Sequence, residues 1–257
     1  MGSDRATSRE HETISKVPAV TLLFWVIKIA ATTLGETGGD AVTMSLHLGY
    51  LIGTIIFAAL FVVMVMAQIR ASRFHASIYW ATIIATTTVG TTVADLVDRD
   101  LGIGYAGGAT LLLALLLTSL FLWKRILGTV SVDSVSTPAA EWFYWVTILF
   151  SQTLGTALGD WTADTASFGY GGSAIIFGSL LAVVAAGYLW TRISRTALFW
   201  AAFVLTRPLG AVLGDLLDKP VSKGGLALSR FGASAVLLFI IVTCILAFRQ
   251  RPARAAH

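Results

Sequence analysis

The chain has 257 residues, 56% of them hydrophobic and only 12% charged, against roughly 25% charged residues in an ordinary soluble domain. With a mean hydropathy of +0.80, this composition excludes a soluble nucleic-acid binder and points to an integral membrane protein. Net charge is +4, and the single Cys244 lies in an apolar run, which excludes a disulfide framework and a thiolate metal site.

Residues 1–16 are polar and mixed in charge, and read as a short disordered or surface tail on the cytoplasmic side. They lack the apolar core and small-residue cleavage site of a signal peptide, so the first hydrophobic segment is expected to remain as a transmembrane helix. Pro18 marks a helix start, and the first helix is expected over about 18–40. An uncharged second helix follows over 48–68, closed by Arg70 and Arg73. The plan then repeats, with helices over 77–98 and 104–125, a linker over 128–140, helices over 141–163 and 169–190, then 196–218, an insert over 219–230, and a last helix over 231–248. Each uncharged run has the length needed to cross a hydrocarbon core of ~30 Å. The expected fold class is an all-α integral membrane protein of eight transmembrane helices. Its repeats occupy 17–75, 76–139, 140–195 and 196–250, with a tail over 251–257.

The repeat rests on fixed spacing. Trp25, Trp80, Trp145 and Trp200 are each followed at ten positions by Gly35, Gly90, Gly155 or Gly210, and at fifteen by Asp40, Asp95, Asp160 or Asp215. The residue before each Asp is small. Because each copy contains two spans, all four share one orientation and are expected around a pseudo-fourfold axis along the membrane normal. Twelve Lys and Arg fall on the side of the tails and four on the other, so both termini are expected to be cytoplasmic.

Every odd-numbered helix carries polar residues and every even-numbered one is clean. Helices 1, 3, 5 and 7 are therefore expected to form an inner ring, packed through small-x-x-x-small faces such as Gly35/Gly39. On an α-helix, residues four apart share a face. The resulting stripes are Lys28, Thr32, Glu36, Asp40 in copy one and Ile83, Thr87, Thr91, Asp95 in copy two. Copy three gives Ile148, Gln152, Thr156, Asp160, and copy four Phe203, Arg207, Ala211, Asp215. The candidate metal ligands are Glu36, Asp40, Asp95, Asp160 and Asp215. The candidate substrate path is Lys28, Thr32, Thr87, Thr91, Gln152, Thr156 and Arg207. Ionisable groups at bilayer depth are functional candidates by default, and this donor set of hard oxygens suits Mn²⁺, Mg²⁺, Ca²⁺ or Na⁺/H⁺. Structural readings stand beside these. Each Asp also suits helix termination at an interface, Lys28 or Arg207 also suits an internal ion pair with Glu36 or an Asp, and Asp98, Asp100, Asp164 and Asp218 suit solvated loops. The Trp residues suit interfacial anchors or packing.

The copy with Phe24-Trp25 and Thr33-Leu-Gly-Glu-Thr-x-x-Asp40, repeated four times over about 17–250, resembles a family of bacterial membrane proteins built of a two-span repeat of unknown function. The resemblance implies the fold and an inner-membrane address. A second likeness, of chemistry alone, is to Ca²⁺/Mn²⁺ cation/proton exchangers carrying Glu-x-Gly-Asp-Lys/Arg-Ser/Thr. Here the Glu36-to-Asp40 gap is one residue longer, and the base and hydroxyl are missing.

The expected function is a small inner-membrane transporter of a hard cation, Mn²⁺-like, with proton coupling as its fuller form. A passive channel and a non-transporting membrane scaffold or stress-response protein are the alternatives. No zinc-protease pair or nucleophile with an adjacent base occurs, so no enzyme is expected. Nor is a cofactor, beyond a divalent cation as substrate. The expected partners are membrane lipid and a metal cation or proton, with no nucleic acid, and the chain is open to oligomerisation.

Overall fold

A computed structural model describes residues 15–253. Most of the expected tails, with His11 and His257, lie outside the described residues. Eight helices follow in order: α1 Leu22–Asp40, α2 Gly49–Arg70, α3 Ala76–Asp95, α4 Tyr105–Leu127, α5 Pro138–Asp160, α6 Gly169–Trp190, α7 Arg195–Asp218 and α8 Arg230–Ala247. Side-chain caps fix several starts. Thr21 accepts from the Phe24 amide at 3.4 Å, so α1 begins at Leu22 and not near Pro18. Thr137 caps α5 with Pro138 in its first turn, three residues earlier than the expected start. After Asp40, Asp95 and Asp160 the chain loosens into five-residue π-helical turns, Ala41–Ser45, Leu96–Asp100 and Trp161–Thr165. Gly49, Gly104 and Gly169 then adopt φ of 76°, 78° and 64°, which explains why Gly precedes Tyr at these helix starts. The fourth copy lacks this turn. There, Ser229 caps α8 instead, accepting from Gly232 at 3.3 Å.

The odd helices pack on one another in a closed cycle: α1 against α3, α3 against α5, α5 against α7 and α7 against α1. The even helices lie outside, each chiefly on the odd helix of the following copy. Thus α2 packs on α3, α4 on α5, α6 on α7 and α8 on α1. Every copy therefore overlaps its successor, and the last overlaps the first.

Six helices among the described residues are long and apolar enough to cross a membrane: α2, α3 with its π turn, α4, α6, α7 and α8. Only 11–28% of the most apolar part of the even helices is buried, against 67% for α7 and 72% for α3. The exposed apolar faces, with Ile52, Ile55 and Val63 on α2 and Val236 and Phe239 on α8, therefore belong to the outer helices. Expected as spans too, α1 and α5 are not among the six. Their polar residues lower their apolarity, and those side chains (Lys28, Glu36 and Asp40; Glu141, Gln152 and Asp160) are buried.

Two features of the repeat close the ring. The first is aromatic. The residue preceding each Trp meets the Trp of the next copy: Phe24 with Trp80 at 5.3 Å between ring centroids, Tyr79 with Trp145 at 5.7 Å, Tyr144 with Trp200 at 6.3 Å, and Phe199 with Trp25 at 5.9 Å. Trp80, Trp145 and Trp200 are buried, so they serve as packing and not as interfacial anchors. The second is glycine. Gly35 faces Thr87, Gly90 faces Gln152, Gly155 faces Arg207 and Gly210 faces Thr32. In each case the glycine of one copy makes room for the stripe residue of the next.

The Trp end is covered by segments expected as tail and linker. Ser15 donates to the Val132 carbonyl at 2.7 Å, and the Lys16 ammonium lies 2.6 Å from Glu141. The Ala19 amide donates to Arg251, and the Ala253 amide to Val17, both at 2.8 Å. Val17, Val132, Val135 and Ala253 are buried there. The end of the expected first tail is thus docked, because Lys16 has a buried carboxylate to neutralise.

A methyl group at Gly210 would stand 2.5 Å from Thr32 Cβ, whereas one at Gly171 on α6 meets nothing within 4 Å. Gly210→Ala is expected to lower stability by ~1–3 kcal/mol through overpacking. Gly171→Ala is expected to be neutral or mildly stabilising, by the helix propensity of alanine over glycine. Thermal unfolding of the two variants in detergent checks this.

Candidate functional site

The stripes of the four odd helices fall at four levels along the ring, one turn (~6 Å) apart. Starting from the Trp end, these are the Lys28/Ile83/Ile148/Phe203 level, the Thr32/Thr87/Gln152/Arg207 level, the Glu36/Thr91/Thr156/Ala211 level and the level of the four Asp. All sixteen residues are buried.

At the first level the Lys28 ammonium lies 4.2 Å from the centre of the Phe203 ring and has no hydrogen-bond partner among the described residues. Its expected counter-ion, Glu36, is taken by another group. Arg207 rises from the second level and bonds to three other ring helices: Glu36 of α1 at 3.0 Å, Thr156 of α5 at 2.6 Å, and Thr91 of α3. Its fully buried guanidinium also approaches the Thr32 carbonyl at 3.5 Å. Ala211, the small member of the third level, is one turn beyond Arg207 on the same helix. Pro208, which follows Arg207, has no amide to donate, so the α7 backbone is one hydrogen bond short at this turn. The Thr32 hydroxyl is spent on backbone, 3.1 Å from Lys28 O, 2.9 Å from Ile29 O and 3.3 Å from Thr206 O. Thr87 Oγ1 and both polar atoms of the Gln152 amide have no partner among the described residues.

At the fourth level, the Asp residues are joined in pairs by cations. Arg99 lies 2.8 Å from Asp95 and 3.3 Å from Asp160. Lys219 contacts Asp40 and lies 3.1 Å from Asp215. Arg230 adds 2.9 Å to Asp218 and 3.8 Å to Asp40. Copies two and three are thus bridged by Arg99, and copies four and one by Lys219. Burial works against the charge of Lys219, but Asp215, Asp40 and Asp218 outweigh it and hold the ammonium well above the usual lysine range. Asp218, expected as a solvated loop residue, is buried because Arg230 neutralises it.

The structure brings Glu36, Asp40 and Asp95 together: one oxygen from each lies within 4.8 Å of the others, and the same holds for Asp40, Asp215 and Asp218. Asp40 belongs to both groups, and its Oδ1 has no hydrogen-bond partner among the described residues. Asp160 is not in either group; its carboxylate lies 3.3 Å from Arg99. Sequence reasoning counted Arg99 and Lys219 only among the four cations on the side away from the tails and missed their place in the site. The signal was present, since each follows its Asp by four residues, the spacing of a helical ion pair.

No curated protein and no solved structure matches the chain. A family model described as Repeat of Unknown Function (DUF347) matches four times in tandem, at residues 23–74, 78–129, 143–194 and 198–251. The four matches take in every stripe residue and most of each of the eight helices, and the chain belongs to this repeat family.

Proposed function

We propose that the chain is a small multi-pass transporter of the bacterial inner (plasma) membrane, moving a hard cation, Mn²⁺-like, with protons as the coupling ion. In this reading all eight helices span the bilayer around a pseudo-fourfold axis and both termini are cytoplasmic. The polar centre is lined by helices α1, α3, α5 and α7, and lipid covers the exposed apolar faces of the even helices.

The observation that carries the reading is the position of Asp40. Its carboxylate is shared by two buried groups of three, and one of its oxygens is left without a partner. Oxygens up to 4.8 Å apart can close onto one ion with ligand distances of ~2.0–2.6 Å, and carboxylates are the donors that Mn²⁺, Mg²⁺ and Ca²⁺ prefer. Lys219 and Arg99 are then resident cations that neutralise the carboxylates when no ion is bound and yield to an arriving one. Two fixed positive groups deeper in the ring, Lys28 and Arg207, act as counter-charges as the ion passes. The aromatic layer and the docked Ser15–Pro18 segment keep the Trp end closed while the Asp end loads. A passive channel would require the same aromatic layer to stand open.

The scaffold reading is favoured by one specific observation, the three bonds by which Arg207 ties α7 to α1, α3 and α5. It predicts that Glu36 and Asp40 matter only for stability.

The two readings separate in a panel of Mn²⁺, Mg²⁺, Ca²⁺, Zn²⁺ and Na⁺ added to the detergent-purified chain. Selective stabilisation by Mn²⁺ of about 5 °C at a hundredfold excess over Kd is expected, and its loss in Asp40→Asn. In reconstituted vesicles, Glu36→Gln and Asp40→Asn are each expected to cut Mn²⁺ flux at least tenfold. Flux equal to that of the unmodified chain in both variants would reject the transport site.

A further inference from the structure

Between the Lys28 level and the Glu36 level the ring holds an excess of unmatched positive charge and hydrogen-bond donors. Five polar atoms there are buried without a partner among the described residues: Lys28 Nζ, Thr87 Oγ1, Gln152 Nε2 and Oε1, and Arg207 Nε. They come from all four ring helices, and each of the four residues is 0% exposed. Among the described residues the carboxylate bound in this region is Glu36, and Arg207 already holds it at 3.0 Å. That leaves Lys28 without a counter-ion. Its own level offers only Ile83, Ile148 and the face of Phe203, and a cation–π contact replaces only part of what a lost hydration shell supplied. Buried polar groups in folded proteins are nearly always matched, and buried charges are paired.

The donor inventory decides the sign of the missing partner. An ammonium, an amide NH₂, a hydroxyl and a guanidinium N–H can all donate, while the Gln152 oxygen can only accept. A metal cation would meet two like charges and few free acceptors here. An anion would meet charge-assisted donors from four directions, which are the stronger kind of hydrogen bond. Phe203 fills one side of the Lys28 level, and the ring helices approach closely, with Gln152 Cβ 3.0 Å from where a Cβ on Gly90 would stand, so the guest proposed is a small one.

We propose that the ring interior between Lys28 and Arg207 is a binding site for a small monovalent anion of halide or formate size, held by Lys28 Nζ, Gln152 Nε2, Thr87 Oγ1 and Arg207 Nε. The site is distinct from the carboxylate groups at the Asp end and does not depend on the cation reading. A cation loaded at Asp40 would then have its counter-ion on the same axis, two to three helical turns away.

The test uses the full chain in detergent, with no divalent cation, in potassium chloride against potassium gluconate at equal ionic strength. Chloride is expected to raise Tm saturably by about 5 °C at a hundredfold excess over Kd, whereas gluconate, too large for the site, gives no rise. Lys28→Met is expected to abolish the chloride response. Gln152→Glu adds a carboxylate to this unmatched region and is expected to raise Tm in gluconate while removing the response. This second variant decides the matter if Lys28→Met fails to fold. Asp40→Asn is expected to keep the response in full, which separates this site from the cation site. Equal Tm in both salts for the unmodified chain would overturn the proposal, as would a chloride response that persists in Gln152→Glu.

Discussion

The buried guanidinium of Arg207 is the interaction on which the ring depends. It reaches Glu36, Thr91 and Thr156, one residue from each of the other three ring helices, at a single level. Burying such a charge costs several kcal/mol, and breaking a buried pair by removing one partner typically costs ~3–5 kcal/mol. The cost is offset here because a carboxylate and two hydroxyls converge on the same group, a charge-assisted arrangement in a region of low dielectric. The side chain finds room because Gly155 has no Cβ where Arg207 passes, and because the third-level member of its own helix is Ala211. Fourfold repetition supplies the frame, and a departure from its symmetry at Arg207 is what ties the frame together.

A second departure organises the Asp end. If the four copies were equivalent, the position four residues after each Asp would carry the same residue. Instead it is Met44, Arg99, Asp164 and Lys219. Cations in copies two and four alone give a twofold alternation laid over a fourfold repeat, each cation bridging its own Asp to that of the following copy. Neutralisation is therefore incomplete where Asp40 takes part in two carboxylate groups. The imbalance lies toward negative charge at this end and toward positive charge around Lys28. A polar axis with opposite excesses at different depths is a poor design for bundle stability alone, where hydrophobic packing serves at least as well.

Much of this was legible in the sequence because the constraint is periodic. The Trp-to-Gly-to-Asp spacing, the clean even helices and the stripes follow from residues that recur at fixed distances, and the stripes do share the interior of one ring. The pairings were less legible. Lys28 and Glu36 share one face of a helix two turns apart, and opposite charge on a shared stripe was the ground for expecting a bond between them. Arg207, on another helix, outcompetes Lys28 because its longer fork reaches Glu36 and two hydroxyls together. The aromatic residue before every Trp (Phe24, Tyr79, Tyr144 and Phe199) was a fixed-spacing signal as clear as the glycine, and it marks the contact from each copy to the next. The docking of Lys16 on Glu141 had no local signature, since it joins residues 125 positions apart. The π turns after three of the Asp residues also leave no spacing mark, although the Gly of each following Gly-Tyr pair answers to a backbone need there.

In the proposed transport reading, Lys219, seated between Asp40 and Asp215, is a tethered stand-in for the ion until a cation displaces it. The most direct measurement is the apparent affinity of Mn²⁺ for Lys219→Met beside that of the unmodified chain, from titrations followed by thermal stability. The account predicts that removing the resident ammonium tightens Mn²⁺ binding at least tenfold, because the ion no longer competes for the same oxygens. Binding that is unchanged or weaker in Lys219→Met would contradict it.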